Sequence, residues 1–290
     1  MTGSKKHWNK RYIIADISLL MVAIFWGGGF VAVKSALISN ISPFYMIAIR
    51  FFLSAILLSI IFYKKLRKIN MQEIIYGSIL GVMLFLGFAF QTIGLQYTTP
   101  GKQAFLTATY VVIVPFLGWI INKKNPGRMA ITSAIIALIG IGLLTLKSLS
   151  INLGDSLTII CAVFFALHIV YVGLFSKKGD SIILSIVQIA TAAIISFLFA
   201  IIFEKPIVAV SYEGYFSLFY LIIFSTMLAF LIQNVAQRFA KPAHTAILLS
   251  MESVFGTIFS VIFLGEALGT TMVIGYGIIF FSIIISEIKA

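Results

Sequence analysis

Uninterrupted apolar runs of about twenty residues recur along this whole chain, and they leave few folds open. A helix rises about 1.5 Å per residue, so about twenty residues cross the roughly 30 Å hydrocarbon core of a bilayer. In lipid every backbone polar group must be bonded within the protein, which restricts spanning segments to helices and closed barrels. Barrel strands alternate over about ten residues, and no such pattern occurs here. The chain is therefore read as an all-α integral membrane protein. Composition agrees: 61% of the 290 residues are hydrophobic and 10% are charged, against roughly 25% charged in soluble domains. The mean hydropathy is +1.10. The first run lacks a small-residue cleavage site and exceeds a signal-peptide core in length, so it too is read as a helix.

Ten transmembrane helices are expected: Ile13–Leu37, Pro43–Tyr63, Gln72–Leu95, Pro100–Ile121, Met129–Lys147, Gly154–Phe175, Ser181–Phe203, Glu213–Arg238, Pro242–Phe263 and Thr270–Glu287. Their connections are short, so successive helices should be neighbours. The net charge of +12 would suggest nucleic acid in a soluble protein. Here the basic residues sit in short loops and read as topology signals; no nucleic-acid partner is expected. Sixteen of them, among them Lys5, Lys6, Lys64, Lys65, Lys123, Lys124, Lys177, Arg238, Lys241 and Lys289, fall on one side of the membrane. Lys34, Lys102, Lys147 and Lys205 fall on the other. That bias puts both termini in the cytoplasm and the chain in the cytoplasmic membrane. Cys161 is the single cysteine, so no intrachain disulfide or cysteine metal cluster can form.

The chain also repeats. Asp16 and Asp155 open the first and sixth spans at an offset of 139, and Phe25-Trp26-Gly27 matches Phe164-Phe165-Ala166 at the same offset. At an offset of 142, Gln91 matches Gln233, Pro100 matches Pro242, Ala104 matches Ala246 and Val112 matches Val254. Residues 13–147 and 154–287 are thus read as two five-helix repeats of one membrane unit. Five is odd, so the second repeat enters the membrane from the opposite side. Inverted repeats are the plan of many secondary transporters, whose substrate site lies near the midplane between the halves.

Glu252 stands out in the ninth span, roughly 15 Å along the helix from Pro242 and so at midplane depth. A carboxyl there costs roughly 2.5–3.5 kcal/mol on insertion scales, so it should face a cavity or bond to a neighbouring helix. Burial would favour its neutral form and suit it to carry a proton. Tyr110 is its counterpart at the 142 offset. His168 reads equally as a cavity ligand or as a satisfied polar group between helices. Arg50, about seven residues from its span's nearer end, is read as snorkelling to the interface rather than pairing with a carboxylate. Gln91, Gln96, Thr107, Gln233, Asn234 and Gln237 offer neutral hydrogen-bonding groups on repeat-related helices, to a cavity or to one another. Trp26 and Phe30 could form an aromatic wall or pack in the core.

Small residues spaced by four mark close helix contacts: Gly28, Ala32 and Ala36; Gly77 and Gly81; Gly256 and Ser260. The run Gly27-Gly28-Gly29 suits a hinge and does not read as a phosphate loop, since no strand precedes it. Pro100 and Pro242 fit the first turn of a helix, and Pro115 should kink its span.

Several motifs resemble one family. They are Trp26-Gly27 with Phe30, the run from Gly94 to Thr107, Phe165-Ala-Leu-His168, and Gly265-Glu266 after the ninth span. Their order and spacing identify the chain as similar to the drug/metabolite transporter superfamily, in its ten-helix EamA-type branch. The resemblance implies a ten-helix inverted-repeat bundle with a central cavity lined by the first, third, fourth, sixth, eighth and ninth helices. It implies transport of small metabolites, often amino acids or related compounds moving outward. The chain departs from the family in having Phe165 at the second-half equivalent of Trp26. It also has Ser253 where proline is common, which should leave the ninth helix straighter.

The expectation is a secondary transporter working by alternating access, with Glu252, His168, Gln91, Gln233, Tyr110, Trp26, Phe30, Asn234 and Thr107 as the substrate-cavity residues. No catalytic residues, cofactor or metal are expected. The partners are a small-molecule substrate, the lipid bilayer and coupling protons, with a homodimer left open. An organic-cation or multidrug exporter of the same fold is the alternative. A membrane enzyme would need a paired acid and base, a metal cluster or an activated nucleophile, and the sequence holds no such set. A channel or structural subunit is the remaining class.

Overall fold

The structure, a computed structural model, describes residues 10–123, 125–145, 152–206, 210–264 and 269–288. The Gly265-Glu266 motif and Lys5, Lys6, Lys124, Lys147 and Lys289 lie outside them. All regular structure among the described residues is helical.

Ten helices carry the chain back and forth: α1 Lys10–Ile38, α2 Pro43–Ile61, α3 Met71–Gly94, α4 Pro100–Ala108 with Tyr110–Asn122, and α5 Arg128–Thr145. Then follow α6 Leu153–Phe175, α7 Ser181–Phe203, α8 Tyr212–Ala236, α9 Pro242–Ser250 with Glu252–Leu264, and α10 Thr270–Ile288. Eight are long and apolar enough to cross a membrane; α5 and α10 contain shorter apolar stretches, Arg128–Leu143 and Val273–Ile285. Each expected span has its helix.

Polar residues at the ends start these helices. Asn70 and Glu73 form a reciprocal cap at the start of α3, and Asn152 and Asp155 form one at the start of α6. Glu204, just past α7, accepts from the backbone N–H of Phe44 at 2.8 Å and of Tyr45 at 2.9 Å, where α2 has free donors. Pro100 and Pro242 occupy the first turns of α4 and α9.

The packing crosses between the halves. α1 lies on α8 and α9, and α6 lies correspondingly on α3 and α4; α2 pairs with α7, α4 with α9, and α5 with α10. Exchanging the first five helices for the last five maps the α1 pairs onto the α6 pairs and each of the other three onto itself. Where α1 crosses α9, a Cβ at Gly27 would meet the Gly256 nitrogen and the Phe255 Cβ, each at 2.7 Å. Gly77 and Gly81 likewise seat α3 against Val187, Gln188 and Thr191 of α7.

α4 is interrupted at Thr109 and α9 at the equivalent Met251, while Pro115 lies inside the continuous second segment of α4. A hydroxyl bonded to the carbonyl three residues back accompanies each break, from the break residue itself in α4 and from the residue before it in α9. The Thr109 hydroxyl donates to Leu106 O at 2.6 Å and the Ser250 hydroxyl to Ile247 O at 2.7 Å. The backbone tightens alongside, with Thr109 N bonded to Leu106 O and Met251 N to Leu248 O. Hydroxyls that bond backward this way compete with the helical ladder, and here they accompany its interruption, although Ser282 bonds Ile279 O in the same way within the unbroken α10.

The basic loops gather at one end of the bundle. Asn125, Arg128, Lys177, Lys241 and His244 line a single opening of about 910 Å³ there, between α4, α5, α6 and α9. At the opposite end Ser39 bonds Ser211, and Lys34 reaches Leu95 O.

Candidate functional site

The helix breaks put Tyr110 and Glu252 at matching places. Each is the first residue of the second segment of its helix, and the Tyr110 hydroxyl donates to Glu252 Oε1 at 3.1 Å. Both side chains are buried, and both line one internal cavity.

That cavity is bounded by α1 (Trp26, Gly29, Phe30, Val33), α3 (Phe88, Gln91), α4 (Gln103, Tyr110), α6 (Phe165, His168, Ile169), α8 (Ser225, Phe230, Gln233) and α9 (Glu252). These are the six helices that the family resemblance implied. α2 adds Arg50, whose expected place is the interface. With a volume of about 40 Å³ the cavity holds a few water molecules and no metabolite.

Arg50 does not snorkel. It is 1% exposed, with its guanidinium 4.6 Å from the Phe88 ring centroid and 5.4 Å from that of Phe51. The reason lies on α8, where Leu221–Leu228 winds as a π-helix. The wider turn leaves its carbonyls and hydroxyls open to other helices. Arg50 Nε donates to Thr226 Oγ1 at 2.8 Å, and Nη2 faces Ser225 Oγ at 3.2 Å and Ser225 O at 3.4 Å. Trp26 Nε1 donates to Ser225 O at 3.1 Å, and Ser54 Oγ to Ile222 O at 2.8 Å. A cation can be held at this depth because polar groups on a neighbouring helix were freed for it.

Seven of the nine expected cavity residues line the space: Trp26, Phe30, Gln91, Tyr110, His168, Gln233 and Glu252. Thr107 and Asn234 are not in its lining. Thr107 accepts from Gln91 Nε2 at 3.3 Å, and Asn234 turns to α7, donating to Ser185 Oγ at 2.8 Å. His168 joins both alternatives weighed for it, since it lines the cavity and bonds Gln188 Oε1 at 2.9 Å. Gln103, absent from the expected set, donates to Gln91 O at 2.6 Å. Its own Oε1 and that of Gln233 are buried without a partner. The signal for Gln103 was its place one turn inside Pro100. Arg50 was visible as an intramembrane charge, but its direction was not.

Two further contacts flank the cavity along the membrane axis. Toward the Lys34 end, Lys102 Nζ on α4 meets Asp155 Oδ2 on α6 at 2.6 Å, and Thr98 donates to the same carboxylate at 2.8 Å. Toward the basic end, His244 Nε2 on α9 meets Asp16 Oδ1 on α1 at 3.0 Å. Lys102 and His244 are 142 residues apart, and Asp16 and Asp155 are 139 apart, the two offsets of the repeat. The same pair of positions is thus bridged at both ends.

Among the described residues no group of three or more His, Cys, Asp or Glu is arranged to hold a metal. The EamA-like transporter family matches residues 13–146 and again residues 152–287, covering nearly the whole chain in two copies. An uncharacterized transporter of Archaeoglobus fulgidus is 32% identical over 277 residues, 96% of this chain and 87% of that protein. A second from the same organism is 27% identical over 86% of this chain and 88% of its own length. The uncharacterized transporter YyaM of Bacillus subtilis is 28% identical over 66% of each chain. A protein of known crystal structure, 16% identical, superposes with a TM-score of 0.78 over 97% of this chain and 99% of that one, which speaks for the fold alone.

Proposed function

The chain belongs to the EamA-like transporter family, and from that premise we propose a secondary transporter that moves amino acids or related small metabolites outward across the cytoplasmic membrane. Transport runs by alternating access between two inverted five-helix repeats, residues 13–147 and 154–287. Both termini lie in the cytoplasm, on the side of the basic loops.

One observation carries the reading. A small internal cavity lies between two contacts built from repeat-equivalent residues, the Lys102–Asp155 ion pair at one end and the His244–Asp16 hydrogen bond at the other. A carrier needs one closure on each side of its site and must never open both. Each pair ties a helix of one half to a helix of the other. Breaking one while keeping the other exposes the cavity to one side at a time. The cavity must enlarge to admit a solute, and the interruptions of α4 and α9 beside Tyr110 and Glu252 supply joints for that change.

Glu252 is the proton carrier in this scheme, with Tyr110 donating to it in the closed state. The test is reconstitution in liposomes with a panel of amino acids and related metabolites, with and without a pH gradient. Movement of solute down its own gradient, enhanced by the pH gradient, is the expected result. If no solute moves under any gradient, the reading is overturned.

A further inference from the structure

The cavity contains a buried cation without a counter-charge, and we propose that Arg50 receives the carboxylate of the transported solute. This rests on the reading of the cavity as the substrate site and names the chemistry that the site selects.

Arg50 is held from one side only. Nε and Nη2 are spent on Thr226 and Ser225, while Nη1 donates to no protein group among the described residues. No carboxylate among those residues lies within ion-pair reach of it, and the nearest rings, Phe88 and Phe51, present only their faces. A guanidinium that lines a cavity with one nitrogen unspent is a half-built carboxylate clamp, since its fork matches two oxygens. Taking a guanidinium out of water is costly, and its bonds to Ser225 and Thr226 leave part of its donor capacity at the cavity unspent.

Other groups in the same lining complete the selection. Gln103 Oε1 and Gln233 Oε1 are buried acceptors without donors, and each calls for an N–H or O–H from outside the protein. Glu252 adds a carboxyl. Trp26, Phe88, Phe165 and Phe230 supply the apolar remainder of the surface. An anionic head, a hydrogen-bond-donating neighbour and an apolar tail describe an amino acid with an apolar side chain. An organic cation satisfies none of Arg50 and is repelled by it. At the basic end the opening lined by Arg128, Lys177 and Lys241 raises the local concentration of anionic groups before they reach the cavity.

The experiment uses the full-length protein in liposomes with three probes: phenylalanine, its methyl ester and phenethylamine. The wild type is expected to move phenylalanine and to discriminate against the other two, which lack the carboxylate. Arg50→Gln raises the KM for phenylalanine by about 10- to 100-fold, the size of one or two charge-assisted hydrogen bonds, and removes the discrimination. Arg50→Lys retains the charge, guards against a folding defect and recovers part of the preference. If phenylalanine and phenethylamine are moved equally well by the wild type, or if Arg50→Gln depresses all movement in equal proportion, Arg50 is structural and the proposal falls. If the wild type moves none of the three but moves other solutes without a carboxylate, the assignment of Arg50 also falls while the transporter stands. If it moves nothing at all, the cavity is not a transport site and both readings fall together.

Discussion

Tyr110 and Glu252 are joined by a hydrogen bond of 3.1 Å across a separation of 142 residues, the offset that relates the two halves of the chain. Each opens the second segment of an interrupted helix. The bond therefore ties together two equivalent joints, and it breaks the symmetry between them, since one joint bears a phenol and the other a carboxyl.

Replacing Glu252 by glutamine preserves shape and removes the titrating group. Exchange of solute across liposomes is expected to continue, while the enhancement by an imposed pH gradient disappears. Fluorescence of a trapped pH dye, followed together with solute movement, checks it. Persistence of pH-driven transport in Glu252→Gln would show that protons travel elsewhere. Tyr110→Phe leaves the buried carboxyl without its donor and should lower stability by about 1–3 kcal/mol.

The two flanking contacts can be locked. Cys161 is the only native cysteine and is buried, so introduced pairs can be cross-linked against a quiet background. Cysteines at positions 102 and 155, joined by a short reducible linker, should arrest transport, as should cysteines at 16 and 244. Reduction restores it in both cases. Transport that continues through either cross-link argues that the corresponding end does not open.

Close backbone approach predicts a sharp contrast among glycines. Gly27→Ala places a Cβ within 2.7 Å of the backbone nitrogen of Gly256, so α1 and α9 must separate. A loss of about 1–3 kcal/mol follows, as for overpacking elsewhere. Gly277→Ala meets nothing within 4 Å and should be neutral. Thermal unfolding in detergent, measured side by side, distinguishes them.

Asp180, in the loop before α7, makes a pH prediction. Partial burial raises its carboxyl, but the Lys65 ammonium and the backbone N–H groups of Ile182 and Ile183 outweigh burial and hold it below its ordinary 3.8. A depressed carboxylate stabilises the fold fully above its unfolded value and loses that contribution as pH falls through the folded value. Asp180→Asn should therefore melt lower than wild type at neutral pH. The difference should shrink below about pH 4, where wild type loses the charge too. A gap that stays constant into acid would assign the effect to geometry instead.

The ten spans and the presence of polar groups such as Glu252 within them could be read from the chain, because hydropathy is a property of consecutive residues. The bilayer imposes a length on every crossing, so an apolar run declares itself without its neighbours. The correspondence of Tyr110 with Glu252 was legible from the repeat offset, but the bond between them was not. Direction was not legible. Arg50 could have reached outward along its span; it turns inward because Ser225 and Thr226, 175 and 176 residues away, are opened by a π-helix that no proline or glycine marks. Asn234 turns from the cavity because Ser185 offers a bond on α7. The breaks at Thr109 and Met251 were not legible either, because the hydroxyl bonds that accompany them are open to any serine or threonine in a helix, and Ser282 makes one without a break.

What the sequence by itself determined was the set of helices, their order and which polar residues fall inside the apolar runs. The tertiary structure alone decided which of those residues face one another. A helix offers every polar side chain several directions at similar cost in lipid, and the partner on the next helix selects among them.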